Sequence, residues 1–108
     1  MRLYIFIVLI LMSTSASSRE SGSEVKRLYV NKQGWVLFTL EDGVNEKPAC
    51  NTNNIWDFGF KLSENYGREM YSALLSAHAT GKSIIVGHGD TCFSEFPSVA
   101  VSYLYFSE

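Results

Sequence analysis

The sequence predicts a β-rich α+β fold with elements in the order β-β-β-α-β-β, closed as a five-stranded OB-like barrel and clamped by one disulfide. Three observations lead there. Short apolar runs, one of them over 55–62 alternating with period two, recur between clusters of glycine and asparagine, as strands do between turns. A single segment, over 66–80, carries the helical period. That helix falls between the third and fourth strands, which is its place in the OB barrel. An open α+β sheet with the helix on one face shares the same element string and is the alternative.

The first element is a leader. Arg2 supplies a minimal positive region, Leu3 to Met12 form an unbroken apolar run, and Ser13-Thr14-Ser15-Ala16-Ser17-Ser18 supply small residues. This is the pattern of a signal peptide over 1–16, with cleavage after Ala16 preferred to cleavage after Ser18. The run is about half the roughly 20 apolar residues that span a bilayer. The expected product is therefore secreted, extracellular or periplasmic, with no stable membrane anchor after cleavage. It would hold about 90 residues, one domain near the small end of what folds alone.

Residues 17–24 are polar and rich in serine and read as a flexible amino terminus, with 25–108 as the single OB-like domain. Val25 to Val30 read as the first strand, Asn31-Lys32-Gln33-Gly34 as a turn, and Trp35 to Leu40 as the second strand. From Glu41 to Asn54 the chain carries Gly43, Asn45, Pro48, Asn51, Asn53 and Asn54, all loop formers. So long a loop in a small domain is functional or tethered, and Cys50 would tether it. Ile55 to Leu62 alternate, placing Trp56, Phe58, Phe60 and Leu62 on one face, while Gly59 hints at a bulge or bend.

The helix over 66–80 has Ser63 or Asn65 as candidate N-cap and Gly81 as a left-handed stop. Its apolar stripe is Tyr66, Met70, Leu74 and Ala77, widened by Tyr71, Leu75 and His78. Ser83 to Gly87 and Val99 to Phe106 read as the last two strands.

The chain has 108 residues with Lys+Arg 9 against Asp+Glu 11, a net charge of -2, and loss of Arg2 with the leader makes it slightly more acidic. This argues against nucleic acid as a partner, which calls for a basic stripe, and supplies no polybasic surface for anionic lipid. The cysteine count is 2. In an oxidising compartment Cys50 and Cys92 are expected to pair, which closes a loop worth about 4 kcal/mol in the chain-entropy model. The clustered ligands of a metal site are absent from the pattern, and no cofactor is expected.

The segment Gly87-His88-Gly89-Asp90-Thr91-Cys92 is the most tempting chemistry. A hydrolase using His88 and Asp90 would need a nucleophile within hydrogen-bond reach of the imidazole, and the sequence singles out no serine for it. The plainer reading is a glycine-rich turn after a strand. His78, at the edge of the helix stripe, reads as a packed or partly solvated residue, and a zinc site from His78, His88 and Asp90 lacks supporting spacing. Tyr29, Trp35, Tyr103 and Tyr105 are candidates to face outward, where aromatics suit sugar stacking or a protein interface. Completing the core is their ordinary alternative.

Cys50 followed by Asn54-Ile55-Trp56, with a helix ending Ala79-Thr80-Gly81-Lys82-Ser83 and running into Ile84-Ile85-Val86, resembles the small secreted B subunits of subtilase-cytotoxin and typhoid-toxin type. The likeness spans Cys50 to Val86. It implies an OB fold, a homo-oligomeric ring and a host glycan as partner. The second cysteine pair and the aromatic-rich segment that this family shows after its fourth strand are missing, so no binding residue is carried over. The chain is equally similar to small secreted bacterial proteins of unknown role.

The function expected is a secreted, non-enzymatic binding protein, a toxin B-subunit-like glycan-binding module. The alternatives are a small secreted hydrolase using His88 and Asp90, and an inhibitor or interaction protein acting through the 41–54 loop.

Overall fold

The computed structural model of the protein describes residues 19–107. The expected signal peptide lies outside the described residues. Five strands and one helix follow in the expected order: β1 (Arg19–Val30), β2 (Trp35–Leu40), β3 (Phe58–Lys61), α1 (Gly67–Thr80), β4 (Ser83–Cys92) and β5 (Val99–Phe106). Pairing runs β1-β2-β3-β5-β4 and returns to β1, a closed barrel. Only the β3–β5 pair is parallel.

Closure depends on β1, which serves two neighbours in succession. Arg19 to Glu24 pair with His88 to Ser83 of β4, and Val25 to Val30 pair with Leu40 to Val36 of β2. A register shift between Val25 and Arg27 lets the strand change partner. The flexible amino terminus expected over 17–24 is therefore corrected: from Arg19 onward that segment is sheet. Its inward positions explain why the sequence conceals it. Ser21 takes a core-side place with 3 % exposure, so the usual apolar alternation is missing where a buried hydroxyl replaces it.

Inside the barrel, Val36, Phe38 and Leu40 of β2 meet Phe58 and Phe60 of β3, Ile84 and Val86 of β4, and Val99 and Val101 of β5. Phe38 and Phe58 stack with centroids 5.0 Å apart. Leu74 and Ala77 of α1 are fully buried against this cluster, while Leu75 and Tyr66 are 45 % and 75 % exposed. The helix thus buries a narrower stripe than the sequence pattern outlines.

Neither Ser63 nor Asn65 caps α1. Tyr66 occupies the N-cap position in the left-handed region, at φ 64°, with no side-chain cap bond. The chain turns so tightly there that a Cβ on Gly67 would run into the carbonyl of Lys61. At the other end Gly81 is the left-handed stop at φ 70°, and its N–H donates to the carbonyl of Ala77.

Two strands differ from expectation. β3 begins only at Phe58, because Asn53 Oδ1 accepts from the N–H of Ile55 and of Trp56, each at 2.9 Å, and holds them in a turn. Gly59 makes no bulge; it gives room to Leu37, whose Cδ2 would lie 2.8 Å from a Cβ there. β4 runs on through Gly87-His88-Gly89-Asp90-Thr91 to Cys92, so this segment is a strand and not the glycine-rich turn expected. Gly87 answers to a close contact across the sheet, where a Cβ would strike the Tyr103 ring.

The disulfide Cys50–Cys92 is formed and ties the 41–57 connection to the end of β4. Other bonds hold the same connection to β1. Ser23 Oγ accepts from the N–H of Asp42 at 3.0 Å, Ser21 Oγ from that of Asn45 at 2.7 Å, and Arg19 pairs with Glu46 at 2.6 Å.

Candidate functional site

The residues around His88 form a buried clasp. Inward placement on β4 leaves the imidazole 1 % exposed, edge-on to Phe58 at 5.6 Å. Its Nε2 lies 3.1 Å from Ser21 Oγ and its Nδ1 lies 3.2 Å from the carbonyl oxygen of Gly89. With Nδ1 protonated and donating to Gly89, Nε2 accepts the Ser21 hydroxyl proton, and Ser21 accepts in turn from Asn45. A serine and a base at this distance have the spacing of a nucleophilic pair. Both are sealed from solvent, so the arrangement ties β1, β4 and the 41–57 connection together.

Asp90 does not join His88. Its carboxylate pairs with Arg19, which also holds Glu46, at the exposed end of β4. His78 is further along the fold, its Nδ1 3.3 Å from the carbonyl of Val25. Among the described residues no group of His, Cys, Asp and Glu is placed to hold a metal ion.

The outward aromatics divide into two faces. On β2 and β3, Trp35 is only 7 % exposed, set edge-on between Phe93 at 4.8 Å and Phe96 at 5.2 Å. Lys61 Nζ stands 4.7 Å from its ring centroid. Leu37 beneath is fully buried, and Tyr29 packs on Trp56 at 5.4 Å. The chain's own side chains fill this face.

The second face lies on β1, β4 and β5. Strict alternation along β5 would send Val99, Val101, Tyr103 and Tyr105 to one side of the sheet. The ladder breaks this: Gly87 pairs with Tyr103 and His88 with Val101, so Ser102 is an extra residue. The bulge keeps Val99 and Val101 inside and turns Tyr103 and Tyr105 out. Two rows then cross three strands, Glu20–Gly87–Tyr103 and Gly22–Ile85–Tyr105.

The two glycines keep these rows low. Tyr103 lies over Gly87 and the Ile85 side chain over Gly22. The tyrosine rings are nearly parallel, 17° apart with centroids at 6.2 Å, and 38 % and 46 % exposed. Both hydroxyls reach one carboxylate. Tyr103 Oη donates to Glu20 Oε2 at 2.6 Å, and Tyr105 Oη is 3.3 Å from either oxygen. Partial desolvation, with the charge and hydrogen bond of Glu20, pushes the Tyr105 phenol above its ordinary value. It therefore stays protonated, and a donor, throughout the neutral range.

A groove of about 300 Å³ continues this face between α1 and β5, lined by Asn65, Glu69, Met70, Ser102, Tyr103 and Leu104. On the other side of Tyr103 lies a polar recess with Arg19, Glu20, Asn45 and Glu46. The sequence marks Tyr103 and Tyr105 as outward candidates but not Glu20, whose segment lacks a strand signal. Of the other two candidates, Trp35 is buried and Tyr29 is half-buried against Trp56.

No protein-family model, curated protein or solved structure matches the chain.

Proposed function

We propose that the protein is a secreted, non-enzymatic binding module with an OB-like barrel, and that a glycan seats on the Tyr103–Tyr105 face. The single observation that carries this is the pair of parallel, half-exposed tyrosines held by Glu20 over a sheet cleared by Gly22 and Gly87. A rigid aromatic surface with a polar handle is what stacking on a sugar ring requires. The β-β-β-α-β-β order and the β1-β2-β3-β5-β4 circuit support the OB-like reading. The resemblance to toxin B subunits supports a glycan, and it brings with it the proposal of a homo-oligomeric ring.

Burial of Ser21 and His88, and the engagement of Asp90 by Arg19, leave a hydrolase with less support. The tethered 41–54 loop offers a rigid edge to a protein partner, yet no aromatic pair comparable to Tyr103 and Tyr105 stands on it.

A glycan array probed with the purified mature protein tests the proposal. Binding that Tyr105→Ala abolishes, with the fold retained by circular dichroism, supports it. Absence of binding across the array, or binding untouched by Tyr105→Ala, overturns it. Light scattering on the same sample tests the ring, which predicts a mass that is a multiple of the protomer's.

A further inference from the structure

We infer that the glycan taken by the Tyr103–Tyr105 face is an uncharged pyranose presenting hydroxyl donors, and that Glu20 turns anionic sugars away. This rests on the binding reading above and adds the chemical class of its ligand.

The charge at the face carries the inference. Glu20 stands at the β1 end of the row with Tyr103, its carboxylate at the hydroxyl tips of both tyrosines. Glu69 lines the groove on one side and Glu46 the recess on the other. Among the residues lining those two spaces Arg19 is the only cation. Its guanidinium is already engaged by both Glu46 and Asp90. A carboxylate or sulfate on the ligand would meet like charge and no unengaged cation at these positions.

Hydrogen-bonding capacity points the same way. The Tyr103 and Tyr105 hydroxyls spend their protons on Glu20, so the platform offers acceptors. A carboxylate has about four lone-pair sites, enough to take further donors beside the phenols. A sugar hydroxyl donating to an ionised carboxylate makes the stronger, charge-assisted kind of hydrogen bond. The C–H face of the pyranose would lie on the tyrosine rings. Asn45 and Asn65, at opposite ends of the face, provide neutral amides that can both donate and accept.

The test is an array carrying the same oligosaccharide cores in neutral, free-amino, sialylated and sulfated forms, probed with the mature protein and with Glu20→Gln. The neutral core should bind at least about tenfold better than its sialylated or sulfated form. Glu20→Gln should shrink that ratio several-fold. Neutral binding should hardly change between about 50 and 500 mM salt, since no ion pair is screened. Tighter binding of anionic forms that Tyr105→Ala abolishes overturns the inference and leaves the binding reading standing. So does a preference for free-amino forms that collapses in salt, or a ratio that Glu20→Gln leaves unchanged. No binding of any form overturns both.

Discussion

Tyr103 Oη donates to Glu20 Oε2 at 2.6 Å across the intervening strand, with the Tyr103 ring lying over Gly87 of that strand. The hydrogen bond joins β5 to the first residues of β1, and it exists only because Ser102 bulges and Gly87 lacks a side chain. A candidate binding surface and a barrel seam are thus the same structure.

Gly87→Ala should disturb both. The added methyl group has no place under the ring, so Tyr103 must swing away from Glu20, at a cost of about 0.5–1.5 kcal/mol for the lost hydrogen bond. Urea unfolding should show the loss, and tyrosine fluorescence should report the displaced ring. An unchanged midpoint would mean that the ring yields freely.

Ser21→Ala removes the acceptor for the Asn45 N–H and the donor to His88 Nε2 in one step. Leaving buried polar groups unsatisfied costs about 1–3 kcal/mol. The expected loss is in that range by chemical denaturation, with hydrogen exchange at Asn45 accelerated. A hydrolase reading predicts something else, a lost turnover without lost stability.

Reducing the Cys50–Cys92 bond, or replacing both cysteines by serine, should lower stability by about 4 kcal/mol on the chain-entropy model. The 41–57 connection should loosen first in hydrogen exchange, because its remaining ties are a few hydrogen bonds and an exposed ion pair. Uniform loosening over the whole barrel would contradict that.

Asp57 titrates against the fold. Burial raises its carboxyl above the ordinary aspartate value, opposed by Lys47 and Lys26. The folded state therefore binds its proton more tightly than the unfolded state. Stability from this group falls as pH rises from the ordinary aspartate value through the raised one. Asp57→Asn should match or exceed the parent at neutral pH and lose that advantage in acid. The check is the difference between the two denaturation midpoints across pH; a difference of opposite sign would refute the assignment.

Much of the fold was legible in the residues. Trp35–Leu40 and Val99–Phe106 coincide with two of the strands expected, Gly81 is the helix stop, and Cys50 pairs with Cys92. What escaped has a common cause, in that alternation assumes one uninterrupted register with apolar residues inside. Arg19–Glu24 escaped because Ser21 is buried by a hydrogen bond to His88. Gly87–Cys92 reads as a turn although Gly87 is there to make room for the Tyr103 ring. The outward direction of Tyr103 and Tyr105 depends on the Ser102 bulge, which has no signature of its own in the chain. Glu20, the residue that joins the two phenols, was out of reach for the same reasons.

The most direct test of glycan binding at this face is backbone amide mapping by NMR during titration of the purified protein with a neutral oligosaccharide drawn from the array. The largest shifts should fall on Glu20, Gly22, Gly87, Tyr103 and Tyr105. Shifts centred instead on Trp35, Phe93 and Phe96, or on the 41–54 loop, would contradict it.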